Sequence, residues 1–152
     1  MKKVWLSVLS LFVLIACQSR TPVGDVAGER AALQKSPLYR CFAEMYPGKD
    51  VLIWALKDVD NDGRNDLILV YRVDKEKNAM RVVLDSGGTY VITNDVPAPV
   101  SNQIITFKNI DEKPPVEFVV QGMKGTHVGY AIYRIEKGEL VDLFGDGMEE
   151  CC

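Results

Sequence analysis

Four aspartates in the segment 58–66 are the side chains with the clearest chemistry. Acidic residues recur there at alternate positions, and a fourth follows a glycine: Asp58, Asp60, Asp62 and Asp66. Alternate carboxylates can converge on one ion, Gly63 permits a sharp turn, and the Arg64 carbonyl oxygen adds another ligand. Carboxylates this close repel one another without a cation. The segment therefore predicts a calcium site with the ligands Asp58, Asp60, Asp62, Arg64 and Asp66. The alternative is an Asx-rich turn stabilised by its own side chains.

The residues after the loop distinguish it from an EF-hand. Its twelfth position is Leu69 instead of a bidentate glutamate, and the segment 67–71 is aliphatic and β-branched instead of helical. The pattern D-x-D-x-D-G-x-x-D before a strand resembles the calcium loops of FG-GAP and VCBS-type β-propeller repeats. That resemblance implies a structural calcium ion on a β repeat.

Two adjacent cysteines at the end of the chain, Cys151 and Cys152, form the second group that could do chemistry. Adjacent Cα atoms stand about 3.8 Å apart, below the usual disulfide range of roughly 4.4 to 6.8 Å, so a bond between these residues would be strained and easily reduced. Their neighbours Glu149 and Glu150 are the opposite of the electropositive surroundings that activate catalytic cysteines. A soft cation brings its own positive charge and displaces thiol protons. The pair therefore favours soft-metal binding, with redox exchange and an inert chain end as alternatives.

The first residues have the organisation of an export signal. Lys2 and Lys3 precede an apolar segment too short to span a bilayer unaided, and the segment ends in Leu-Ile-Ala-Cys at 14–17. This ending resembles a bacterial lipobox, which implies a signal peptide over 1–16 and lipidation, including palmitate, at Cys17. A signal anchor that happens to contain a cysteine is the alternative. Lipidation would leave three cysteines, an odd number that excludes a fully paired disulfide scaffold.

Charge and length restrict the partners. The chain has 152 residues and a formal net charge of −3, and removal of Lys2 and Lys3 with the leader makes it more negative. Nucleic acid is an unsuitable partner for such a chain. No basic amphipathic stretch is present to bind a membrane surface, so attachment would come from the acyl chains. We therefore expect one domain of an extracytoplasmic, membrane-anchored bacterial lipoprotein.

The remaining chain divides into a tether, a helix and a β-rich body. Residues 17–35 are expected to be a tether, with a short helix over 30–34 as an alternative. A helix capped by Ser36 with Pro37 at its first position is expected next, with Leu38, Cys41, Phe42 and Met45 on its apolar face. Strands are predicted at 51–56, 67–73, 80–85, 89–93, 104–108, 117–121, 128–136 and 139–144. The domain thus covers 36–145, and 146–152 is predicted to be a flexible tail.

An internal repeat relates the two halves of this body. Leu56-Lys57-Asp58-Val59-Asp60 aligns with Phe107-Lys108-Asn109-Ile110-Asp111, and the same 51-residue interval places Asp66 on Glu117. The second copy has Lys113 and Pro114 in place of Asp62 and Gly63, so it is expected to lack the ion. Two repeats cannot close a propeller. We therefore predict a mainly β fold of two tandem four-stranded antiparallel units, degenerate FG-GAP/VCBS-like repeats, forming a sandwich or incomplete barrel with a short N-terminal helix over one end.

Nothing else in the sequence indicates catalysis. His127 has no acid or nucleophile at interpretable spacing and is expected in a loop, and Cys41 is expected to be a small buried hydrophobe. Phosphate loops, catalytic triads and zinc spacings are absent from the sequence. The prediction is a protein that is not an enzyme, with a redox role for Cys151 and Cys152 left open.

Taken together, the lipobox leader, the short helix, the calcium-loop β body and the terminal Cys151-Cys152 resemble the Cys-Cys-COOH (seleno)protein family SaoC. That family is associated with a proposed selenocysteine-assisted organometal system, which implies a transporter or a thioredoxin-like protein as partners. Some members of that family carry selenocysteine in the terminal pair, whereas this chain has two cysteines. The resemblance therefore implies a metal or redox role for Cys151 and Cys152, without the affinity specific to a selenolate.

The sequence thus supports three functional hypotheses. The first is capture or transfer of a soft metal or organometal species by Cys151 and Cys152. The second is thiol–disulfide exchange with a thioredoxin-like protein. The third is a calcium-stabilised β interaction module with an incidental tail.

Overall fold

The computed structural model describes residues 26–152, so the predicted leader and Cys17 lie outside the described residues. The fold is mainly β, with two antiparallel sheets that do not close into a barrel. In chain order the elements are α1 (Val26–Lys35), α2 (Pro37–Met45), β1 (Val51–Lys57), β2 (Asp66–Arg72), β3 (Asn78–Asp85), β4 (Tyr90–Ile92), β5 (Val96–Ala98), β6 (Ser101–Lys108), β7 (Glu117–Lys124), β8 (His127–Glu136), β9 (Glu139–Asp146) and α3 (Met148–Cys151).

Helix α2 begins where the sequence predicts. The Ser36 side chain accepts a hydrogen bond from the backbone N–H of Tyr39 at 3.1 Å, and Pro37 occupies the first turn. Leu38 and Phe42 are buried, whereas Met45 is 64% exposed. The apolar face is therefore narrower than predicted, because α2 covers the sheet only with its first two turns.

Helix α1 occupies part of the segment 17–35 that the sequence predicts to be a tether. Leu33 is buried, and Arg30 donates a hydrogen bond to the Val51 carbonyl at 3.0 Å. The sequence signal there is weak because α1 has only a few apolar positions. Its contacts with α2 and β1 hold it on the domain.

The strands form two consecutive meanders. The first sheet has the order β1-β2-β3-β4, and β5 also pairs with β3. The second sheet has the order β6-β7-β8-β9. The sequence analysis did not predict strand β5, because a proline lies in its middle. The strand lies at an edge of the sheet, where proline is tolerated.

The main core lies between the two sheets. Strand β2 is buried along its length because alternate residues face two different layers: Ile68 and Val70 face the second sheet, and Leu69 and Tyr71 face the helices. From the second sheet, Phe118 and Tyr133 fill the inter-sheet core. Helices α1 and α2 cover the outer face of the first sheet, and not one end of the sandwich as the sequence predicts. The ring of Phe42 lies 5.2 Å from that of Tyr71.

The structure repeats backbone pairing at the interval found in the sequence. Leu56 pairs with Leu67 in the first sheet, and Phe107 pairs with Phe118 in the second, 51 residues later. The loop between β1 and β2 and the loop between β6 and β7 therefore occupy equivalent positions. Within the described residues, no helix is both long enough and apolar enough to cross a membrane.

Candidate functional site

The loop between β1 and β2 is folded around the Asp58 carboxylate. Its Oδ1 accepts hydrogen bonds from the backbone N–H groups of Asn61 at 2.7 Å and Asp62 at 3.2 Å, and its Oδ2 accepts one from Gly63 at 2.9 Å. Gly63 has a φ of 88°, which favours glycine, so the sharp turn lies where the sequence places it. These bonds turn the loop back on itself and bring the later acidic residues towards Asp58.

Three of the four aspartates converge. Ligand oxygens of Asp58, Asp60 and Asp66 lie within 4.8 Å of one another, and Asp66 is fully buried. Its Oδ2 accepts a hydrogen bond from the Val59 N–H at 2.9 Å, and its Oδ1 accepts one from the Asp85 N–H at 3.0 Å. Asp66 is therefore fixed both by the loop and by β3. This arrangement suits a divalent cation that takes oxygen ligands.

The two other predicted ligands are placed differently. The Asp62 carboxylate forms an ion pair with the Arg64 guanidinium at 2.8 Å and accepts the Arg64 backbone N–H at 2.9 Å. Arg64 also donates through Nε to the Asp85 carbonyl at 3.1 Å. Asp62 thus lies outside the converging group. The sequence pattern treats the four aspartates as equal, whereas a neighbouring guanidinium draws one of them away.

The converging carboxylates are electrostatically destabilised. Burial raises the pKa of Asp66 to about 6, against the two backbone N–H groups that lower it, and the charges of Asp60 and Asp62 raise it further. Burial, followed by the charge of Asp62, also raises the pKa of Asp60. A bound cation would reverse these shifts, because it favours the ionised carboxylates.

The equivalent loop between β6 and β7 keeps the same anchor. The Glu117 carboxylate accepts a hydrogen bond from the Ile110 N–H at 2.8 Å. In the first loop, the Asp66 carboxylate accepts the equivalent bond from the Val59 N–H. The Asp111 carboxylate accepts the Lys113 N–H at 3.0 Å. The same bond joins Asp60 and Asp62 in the first loop. The two loops are therefore related by local hydrogen bonding as well as by sequence.

The second loop carries a cation of its own. The Arg134 guanidinium, from β8, bonds to Asp111 Oδ2 at 2.6 Å and also contacts Glu117 Oε1. It thus joins the two carboxylates at the positions of Asp60 and Asp66. Its hydrogen bond lowers the pKa of Asp111. Burial acts to raise the pKa of Glu117, but the bonds from Arg134 and Ile110 outweigh it and leave the pKa below its ordinary value.

Among the described residues, the three converging aspartates of the first loop have no such ion pair, because Arg64 pairs with Asp62 instead. In the second loop, the Arg134 guanidinium forms ion pairs with both carboxylates. In the first loop, no ion pair of the described residues joins Asp58, Asp60 or Asp66 to a basic side chain. An external cation would give the first loop the charge balance that Arg134 gives the second. Sequence reasoning missed Arg134 because its position on β8 lies beyond the aligned loop.

The carboxyl-terminal segment contains a short helix where the sequence predicts a flexible tail. Strand β9 continues to Asp146, and α3 comes next and contacts β8, β7 and β5. Gly147 has a φ of 65°, and a Cβ there would lie 2.5 Å from the Val128 carbonyl oxygen, so only glycine allows this approach. His127, the first residue of β8 and not a loop residue, places Nδ1 3.0 Å from Glu150 Oε2.

The same segment brings sulfur atoms to a cavity. Cys152 Sγ lies 3.9 Å from Met148 Sδ, and both residues line a cavity of about 460 Å³. Apolar side chains near β3 and β5 also line it: Val73, Ala79, Val96 and Pro97. The side chain of Cys151 is outside the described atoms. The structure thus places one of the two predicted soft ligands at a partly exposed, mainly apolar recess.

Asn78 adds a polar group to this cavity. It is 4% exposed, and its Nδ2 donates to the carbonyls of Pro99 at 2.7 Å and Val100 at 3.1 Å. Its Oδ1 has no partner among the described residues. A buried acceptor left without a donor costs stability. No signal in the sequence indicated this group, because the contact depends on how β5 leads into β6.

Cys41, the remaining thiol in the described chain, lies elsewhere. It is partly buried on α2, and burial, followed by the charge of Glu44, raises its pKa. Cys41 lines a different recess from Cys152, so it does not belong to the same group of sulfur atoms.

The chain matches no protein-family model, no curated protein and no solved structure.

Proposed function

We propose that this protein is a membrane-anchored extracytoplasmic lipoprotein that captures or transfers a soft metal or organometal species at Cys151 and Cys152. The observation that carries the proposal is the position of Cys152 Sγ, 3.9 Å from Met148 Sδ at the edge of the 460 Å³ cavity. Thiolate and thioether sulfur are ligands for soft cations. The described residues hold these sulfurs against a folded β body.

In this proposal calcium has a structural role. Asp58, Asp60 and Asp66 would hold the ion, which would supply positive charge to a loop whose carboxylates otherwise repel one another. The loop connects β1 with β2, the strand buried on both faces. Calcium would therefore stabilise the sheet on which the cavity wall is built.

The lipid anchor rests on the lipobox at 14–17 and gives a direct prediction. Replacing Cys17 with serine should leave an uncleaved or soluble precursor, because the acylated residue is missing. The wild-type protein should stay in the membrane fraction through a high-salt wash, since multiple acyl chains hold a protein firmly. Fractionation and then immunoblotting measure both. Release of the wild type by salt alone would indicate a peripheral partner instead.

The soft-metal site is tested by mercuric ion with matched cysteine variants. Reduced protein should bind one mercuric ion, and Cys151→Ser or Cys152→Ser should each weaken binding strongly, because each removes a thiolate. Cys41→Ser is the control and should bind as the wild type does, since Cys41 lies on α2 away from the cavity. Intact mass spectrometry gives the stoichiometry, and competition with a chelating thiol gives the affinity.

A truncation ending at Glu150 separates the three functional hypotheses. Loss of mercuric binding alone supports capture of a soft metal. Loss of disulfide exchange with a thioredoxin-like protein supports the redox hypothesis. If neither property changes, the carboxyl-terminal segment is not the site and the β body is an interaction module.

A further inference from the structure

We infer that Met148 supplies a third sulfur ligand to the carboxyl-terminal site and makes it favour soft cations that accept a thioether, such as copper(I) and silver(I), over trivalent arsenic. The inference rests on the proposed function, because it concerns the same site. It adds a residue and a selectivity that the cysteine pair by itself does not provide.

The distance between the sulfurs fits one shared ion. Two sulfurs each about 2.3 Å from a metal and separated by an angle of about 120° stand about 4.0 Å apart. Cys152 Sγ and Met148 Sδ are 3.9 Å apart. Cys152 donates its thiol hydrogen to the Met148 sulfur at this distance, and a trigonal ion would take the place of that proton between the two sulfurs. The further thiolate is the one that the proposed function assigns to Cys151.

Met148 is held in place by its surroundings. It packs against the inter-sheet core, and it begins α3 directly after Gly147, whose close approach to Val128 fixes the chain there. Cys152 lies four residues later, the spacing that puts two side chains on the same side of a helical turn. The thioether is thus a positioned ligand, whereas an exposed methionine would lose more conformational freedom on binding.

The donor set decides the selectivity. A thioether is a neutral, soft ligand that suits copper(I), whereas trivalent arsenic binds thiolates and zinc prefers four thiolate, imidazole or carboxylate ligands. Binding releases the thiol protons to solvent, and two thiolates with one monovalent cation leave a single negative charge. Lys77 lines the same cavity together with Asp95 and Glu149, so its charged side chains are net negative and favour binding of a cation.

The test compares Met148→Leu with Met45→Leu in the purified full chain, reduced and kept free of oxygen. Leucine is close to methionine in volume, so the packing of α3 should be retained. Met45 is 64% exposed on α2, so its replacement is the matched control. Copper(I) affinity is measured by competition with a chromogenic copper(I) chelator, and arsenite binding is measured by calorimetry.

We expect Met148→Leu to weaken copper(I) binding by at least about tenfold, a loss within the range seen when a metal site is altered, and to leave arsenite binding unchanged. Met45→Leu should match the wild type in both measurements. Unchanged copper(I) affinity in Met148→Leu would overturn the inference. An equal loss of affinity for copper(I) and for arsenite would also overturn it, because Met148 would then act through packing. The Cys152→Ser variant separates the proposed function from the inference about Met148. If Cys152→Ser abolishes copper(I) binding and Met148→Leu does not, the proposed function stands without Met148. If Cys152→Ser binds copper(I) normally, the proposed function and the inference both fail.

Discussion

Replacing Arg134 with methionine is expected to lower the melting temperature by roughly 10 °C, with or without calcium, the loss typical of a buried charge that loses its partner. Glu117 is 1% exposed, and without Arg134 its carboxylate would keep the Ile110 N–H but no positive charge. Asp111 would lose its ion pair as well. Thermal unfolding monitored by circular dichroism measures the change.

Arg64→Met is the matched control in the first loop. Arg64 is half-exposed and pairs with Asp62, so its loss should lower the melting temperature by no more than about 3 °C, as for surface ion pairs. The double variant Arg134→Met/Glu117→Gln should recover much of the loss, because the amide leaves no charge to bury. Equal losses for the two arginine variants would contradict the role assigned to Arg134.

The features that sequence alone could predict are local or periodic. Short β-rich runs between turn residues, such as 67–73 and 128–136, predicted the strands, and the 51-residue interval predicted two antiparallel units, which the structure confirms. The start of α2 was predictable because Ser36 and Pro37 are adjacent in sequence and act on the same helix end.

The features that sequence alone could not predict depend on distant parts of the chain. Arg134 reaches Asp111 across 23 residues because β8 lies beside β7. Helix α3 has four residues, too few for an apolar period, and its contacts with β8 come from tertiary structure. The loop at 58–66 shows the same limit, since alternation identified the acids but not the pairing of Asp62 with Arg64.

Calcium is expected to stabilise the wild-type protein by about 2.7 kcal/mol at a hundred times its dissociation constant, because it binds the folded state. Asp60→Ala should abolish most of this gain and change stability little in chelator, since it removes one of the three converging carboxylates. Asp111→Ala is the matched control at the equivalent position of the second loop. It should weaken the fold by losing the bond to Arg134 and keep the full calcium gain.

The gain should also depend on pH in a defined direction. The pKa of Asp66 is about 6 in the folded protein, above the ordinary aspartate value, so the metal-free fold binds a proton more tightly than the unfolded chain. This contribution stabilises the metal-free protein below about pH 4 and is lost as the pH rises through 6. Calcium needs the ionised carboxylate, so its affinity should fall by up to about tenfold per pH unit below 6.

The measurement is the difference between melting temperatures with and without calcium, taken at about pH 5 and about pH 7.5, on either side of the Asp66 pKa, for the wild type and both alanine variants. Using the difference removes the titration of groups that calcium does not contact, Glu117 and Asp111 among them. We expect a large difference at the higher pH for the wild type and Asp111→Ala, a smaller one at the lower pH, and almost none for Asp60→Ala. If the wild type melts at the same temperature with and without calcium at the higher pH, the loop at 58–66 is an Asx turn that needs no ion.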